Sequence, residues 1–175
     1  MALIVPFRAL RYARDQIPDL SKVVAPPYDV INAGARDALY AKSPYNCVRL
    51  ILAKGESRAA DAAASLDAWR REGVLVRDAE PGLYIVEDRY RVQEGIAGET
   101  ERRRLGLVCL ARIEPPDTGV ILPHERTMAA PRDDRLRLMR AVGAHLSHVF
   151  MLAPDGDGRF EALCEKAAGE GADAE

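Results

Sequence analysis

Hydrophobic and polar positions alternate with two periods along this chain, and the periods assign the elements. Between residues 57 and 72, Ala59, Ala62, Ala63, Leu66 and Trp69 recur at helical spacing, and Gly73 stands where a C-terminal stop belongs. Residues 132–143 carry the same spacing and close at Gly143, which predicts a second helix. Asn32 is placed to cap a short helix running through Leu39 and Tyr40. Residues 160–168 suit a last helix. Strands are predicted at 2–10, 47–52, 83–92, 105–113, 120–122 and 148–152, with a brief edge at 74–76. The 105–113 run is apolar on both faces, so it is expected as a central strand, antiparallel to 83–92 across a loop at 94–98. Strands and helices mix without strict alternation. The expectation is an α+β fold, with a mixed, largely antiparallel sheet and flanking helices.

Composition narrows the class. The 175 residues are 48% hydrophobic and 30% charged, in the range of a globular protein. A chain near this length buries roughly 70% of its unfolded surface. One domain is expected over residues 1–153, followed by an acidic tail over 154–175. The net charge of 25 − 27 = −2 provides no global field for a polyanion, so nucleic-acid binding is not expected without a local patch. Arg102, Arg103 and Arg104 form the densest basic run, but they lack interleaved aromatics and suit a solvated strand edge better. Cys47, Cys109 and Cys164 are far apart, which argues for a reducing compartment. No apolar run approaches a membrane span, so a soluble, cytoplasmic protein without a membrane partner is expected.

Candidate chemistry concentrates in two places. The first is Pro123-His124-Glu125-Arg126-Thr127, followed by Arg132, Asp133, Asp134 and Arg135. His124-Glu125 resembles the start of a zinc-protease motif, but the position four residues after the histidine holds Met128, which removes that option. His145 and His148 lack a supporting cluster of acids or cysteines, so no metal site is expected. Glu125 suits a general base or an orienting carboxylate. It also suits a structural ion pair with Arg135, the commoner fate of a carboxylate near arginines. Arg132 and the N–H groups at the helix start suit a phosphate, although Asp133 and Asp134 oppose that locally. The second place is Pro26-Pro27-Tyr28-Asp29, where two prolines restrict the backbone and hold Tyr28 and Asp29. A binding loop and a tight structural turn both fit it.

Together these segments resemble a known family. Pro6-Phe7-Arg8-Ala9-Leu10-Arg11, Val24-Ala25-Pro26-Pro27-Tyr28-Asp29-Val30-Ile31, and His124-Glu125-x-Thr127 with Asp134-Arg135 look like the domain-of-unknown-function family 1015, in order and spacing along nearly the whole chain. The position after Thr127, often basic in relatives, is Met128 here. Members of that family are typically more than twice as long. Their later half carries an Asp-Gly-His-His-Arg segment similar to the phosphate-contacting motif of the ParB-like and free-serine-kinase superfamily. That segment is missing here, where Asp155-Gly156 and Asp157-Gly158 lead to Arg159-Phe160. The resemblance implies the N-terminal half of a phosphotransferase-like protein, inactive alone, with residues 154–175 beginning a truncated second half or with a separate C-terminal half as partner. It implies catalytic roles for Glu125 and His124 and ligand contacts from Tyr28, Asp29, Thr127, Arg132 and Arg135. The implied cofactor is ATP or ADP with magnesium. The alternative it leaves is a non-catalytic module that binds a nucleotide or a nucleic acid.

Overall fold

The structure is a computed structural model and describes residues 2–93, 99–124 and 128–171. The chain divides into two compact units: residues 9–78 with 122–148, and residues 1–8 with 79–121 and 149–175. The fold is α+β, and the strands pair antiparallel in three separate two-stranded ladders. No helix among the described residues is long and apolar enough to cross a membrane.

The unit of residues 9–78 and 122–148 holds the hydrophobic core. Strand β2 (Leu10–Tyr12) pairs with β3 (Leu75–Arg77), and helices α1 (Ala33–Lys42), α2 (Val48–Ile51), α3 (Arg58–Arg71) and α4 (Ala129–Val142) complete it. Helix α3 buries Ala62, Leu66 and Trp69 of the stripe that its spacing predicts and leaves Ala59 and Ala63 half-buried. Gly73 follows it at φ +74°, in the left-handed conformation a helix stop requires and other residues resist. The Trp69 indole lies against two tyrosine rings, 6.3 Å from Tyr12 and 5.9 Å from Tyr45 between centroids. The Tyr12 hydroxyl donates to the Tyr45 carbonyl at 2.8 Å. Burial, with the nearby Cys47 second, pushes that phenol well above its ordinary pKa. Asn32 caps α1 as expected, its side-chain oxygen accepting from the Ala35 N–H at 2.9 Å.

Two expectations fail in this unit. The run 47–52 is not a strand: Val48–Ile51 forms α2. Asn46 accepts from the Val48 N–H at 3.0 Å and Ser43 Oγ accepts from the Tyr45 N–H at 3.0 Å, so local side-chain bonds start a helical turn. Val48 and Leu50 are buried by packing, and that outweighs the weak β-preference of branched residues. Helix α4 begins at Ala129, three residues before the predicted start. Pro131 needs no N–H partner in a first turn, and the Arg132 N–H is consumed by the Met128 carbonyl at 3.3 Å.

In the other unit, β1 (Ile4–Val5) pairs with β6 (Leu110–Ala111). Strands β4 (Tyr84–Gln93) and β5 (Glu99–Val108) form a long hairpin, and α5 (Arg159–Ala168) packs on it. The predicted loop at 94–98 lies outside the described residues. The 105–113 run is not one central strand. Strand β5 ends at Val108 and has a ladder partner on one side, and the chain then passes to β6. Residues 120–122 and 148–152 pair with no described strand, and Val149 to Leu152 remain exposed. Apolar sequence sets a preference for extended backbone, and only a neighbouring edge converts it into a strand. Arg102, Arg103 and Arg104 stand in β5 and are exposed, as expected of a solvated edge.

Ion pairs brace the hairpin. Arg103 bonds Glu87 at 2.7 Å and also engages Glu165 of α5, while Arg104 reaches Asp88 at 2.6 Å. Hydrogen bonds from Arg103, then from Arg89, hold the Glu87 carboxyl below its ordinary pKa of 4.5. A depressed folded value means that this contribution is complete above 4.5 and fades as pH falls through the lower folded value. Far-UV circular dichroism of an acid titration should show this loss, and Glu87→Gln should remove that part of the acid dependence. An identical titration in the variant would refute the assignment.

Candidate functional site

The Pro26-Pro27 turn is built by backbone restriction and anchored by one side chain. Pro27 sits at φ −52°, ψ 141° and leads into a 3-10 turn at Tyr28–Val30. Upstream, Asn46 is fully buried and donates to the carbonyls of Lys22 at 2.9 Å and Val24 at 3.0 Å. The Cys47 N–H adds a bond to the Val23 carbonyl at 2.7 Å. The segment feeding the prolines is therefore tied down before the turn begins. Tyr28 is half-buried and Asp29 exposed. Asp29 makes no cap, because Asn32 caps α1.

Arg135 of α4 meets this turn. Its guanidinium carbon lies 4.1 Å from the centre of the Tyr28 ring, Nη1 donates to the Ile51 carbonyl at 2.8 Å, and Nε donates to Asp134 at 3.1 Å. The ring face, a carbonyl and a carboxylate thus fix one cation in place. At a partly exposed position such a cation–π contact contributes about 0.5–1 kcal/mol, and a hydrogen bond from a charged donor about 1.5–3 kcal/mol.

Beside Arg135 a cleft of about 660 Å³ opens. The loop and first turn of α3, residues 55–60, form one wall, and Asp134, Arg135, Arg137 and Leu138 of α4 contribute another. Its volume is in the range of small-molecule sites, and it is open rather than enclosed. Tyr28 is not part of its lining.

Neither His124 nor Arg132 is part of this lining. His124 is exposed and outside any helix or strand, and Arg132 is exposed and paired with its neighbour Asp133 at 3.2 Å. The opposition expected from Asp133 and Asp134 takes the form of two adjacent ion pairs, Arg132 to Asp133 and Arg135 to Asp134. Glu125 and Thr127 lie outside the described residues, and so does any Glu125–Arg135 pair. Among the described residues no group of three His, Cys, Asp or Glu side chains could hold a metal ion. Arg58 and Arg137, which line the cleft, have no site role predicted from the sequence. Isolated arginines on amphipathic helices look like solvated surface, and only the packing of α3 on α4 places them on one cleft.

No curated protein and no solved structure matches the chain. A tyrosine directly after Pro26-Pro27 and stacked on Arg135, an Asp134-Arg135 pair on α4 and the N-terminal Pro6-Phe7-Arg8 run occur together in the stretch of residues 4–174 that matches the family model described as Protein of unknown function (DUF1015), and the chain belongs to that family.

Proposed function

We propose that this chain is the N-terminal half of a cytoplasmic, phosphotransferase-like protein, similar to the free serine kinases, that supplies one phosphate-handling wall and does not turn over alone. The observation that carries the reading is Arg135, a guanidinium held by Tyr28, the Ile51 carbonyl and Asp134 at the edge of the cleft. Phosphoryl transfer depends mostly on positioning and charge stabilisation, and a preorganised guanidinium serves both. In this reading Glu125 takes the proton of the acceptor hydroxyl, and His124, Arg132 and Arg135 balance phosphate charge. Tyr28, Asp29 and Thr127 contact the ligand, which is ATP or ADP with magnesium. The Arg132–Asp133 pair is exposed on both sides and contributes about 0–1 kcal/mol, so a phosphate can displace it at small cost. A separate or continuing C-terminal half would provide the opposite wall.

Thermal unfolding with ATP, ADP or CTP tests this reading. A nucleotide at about a hundred times its Kd should stabilise the fold by about 2.7 kcal/mol, or roughly 5–10 °C for a chain of this size. Arg135→Ala should lose that shift, measured against its own ligand-free midpoint, and Glu125→Gln should reduce it. Stabilisation by duplex DNA that fades with salt would instead favour a nucleic-acid module. Arg103 and Arg104, the residues most suited to that role, are already engaged by Glu87, Glu165 and Asp88. Phosphorylation of serine by the purified chain would overturn the claim that it is inactive alone.

A further inference from the structure

We infer that the cleft between α3 and α4 takes a linear diphosphate or longer polyphosphate group, with Arg58 and Arg137 as binding residues in addition to Arg135. The inference rests on the phosphate-handling reading of Arg135 and names the ligand class for that cleft. Arg58 and Arg137 both line it, both are exposed, and the guanidinium of neither forms an ion pair or hydrogen bond with a described residue. Arg135 differs, being already fixed by Tyr28, Ile51 and Asp134.

Their positions on the helices decide the shape of the ligand. Successive residues on an α-helix are rotated by about 100°, so Asp134 and Leu138, four apart, form a single row. Arg135 lies to one side of that row and Arg137 to the other, while Arg58 enters from the first turn of α3. Three guanidinium groups are therefore spread around the cleft and not gathered at one point. A single tetrahedral anion meets one or two of them, and a chain of phosphates meets more. Two carboxylates oppose them. Asp134 is committed to Arg135, and Glu56 lines the same wall as Arg58. The balance of three cations to two anions leaves a net positive cleft that favours a ligand with closely spaced negative charges.

Isothermal titration of the full chain with inorganic phosphate and with pyrophosphate tests the inference. Pyrophosphate should bind about tenfold or more tighter than phosphate, and Arg58→Ala and Arg137→Ala should each weaken pyrophosphate by roughly tenfold, the effect of one charge-assisted hydrogen bond. Arg70→Ala, an exposed residue of α3 outside the cleft, should leave it unchanged, and circular dichroism should show all variants folded. Equal affinity for the two anions overturns the inference. So does loss of binding in Arg135→Ala with none in Arg58→Ala or Arg137→Ala, although that result leaves the phosphate-handling reading standing. Loss in the latter two without loss in Arg135→Ala supports the cleft and removes Arg135 from the proposed function. Absence of binding by either anion overturns both.

Discussion

Replacing Trp69 by alanine should destabilise the chain by about 3–5 kcal/mol, a large share of the roughly 5–15 kcal/mol that holds a typical domain together. Trp69 is only 4% exposed, and it sits in the cluster formed with Ile17, Val23, Leu50, Leu66, Val74 and Leu75. The substitution removes the ring contacts to Tyr12 and Tyr45, and the two tyrosines come from β2 and from the loop before α2. Surrounding elements tied at both ends relax only partly into such a void, so the cavity term adds to the lost transfer free energy. Trp69→Phe keeps an aromatic neighbour and should lose less than half as much. Urea unfolding read by circular dichroism measures both, because Trp69 is the sole tryptophan and its fluorescence disappears with it. A midpoint within experimental error of the parent would mean that the core is centred elsewhere.

Asn46→Ala should cost about 2–4 kcal/mol, the second-largest effect expected here. Asn46 has no solvent exposure, donates to the Lys22 and Val24 carbonyls, and accepts from the Val48 N–H. Alanine leaves the buried Val48 N–H and the partly buried Lys22 and Val24 carbonyls without these partners, and each carries a desolvation penalty of up to about 1–3 kcal/mol that relaxation and water entry partly relieve. Asn46→Asp separates the two roles: the carboxylate still accepts from Val48 but cannot donate to the two carbonyls. It should therefore be destabilised too, most strongly at neutral pH, where the charge is buried. The lost bonds release the segment that leads into Pro26-Pro27. Amide exchange should accordingly speed up around residues 23–25 and 28–31, in addition to the global loss. Unchanged exchange there would show that the prolines alone hold Tyr28.

The candidate site was legible in parts. Tyr28 stands out because Pro26-Pro27 precedes it, and Arg135 because Asp134 and a helical run surround it. Their contact at 4.1 Å joins positions 107 apart in sequence, counted as 135 − 28, and no local pattern encodes it. The Ile51 carbonyl is a partner of Arg135 only because 48–51 is helical and not extended. Arg58 carries no local mark and Arg137 shares the helical run with Arg135 without a role of its own, since the cleft that unites them arises from helix packing.

What the sequence alone determines is what repeats or stops within a few residues. The α3 stripe and its Gly73 stop, the Asn32 cap, the end of α4 at Gly143 and the α+β class all follow from spacing, capping and φ restriction. Tertiary structure decides the rest. Whether Val48–Ile51 coils, whether residues 148–152 find a strand partner, and whether three arginines share a cleft depend on neighbours distant in the chain. The physical reason is range: caps and periodicity act over one or two helical turns. Burial and strand pairing are settled only by the surface that the folded chain presents to each segment.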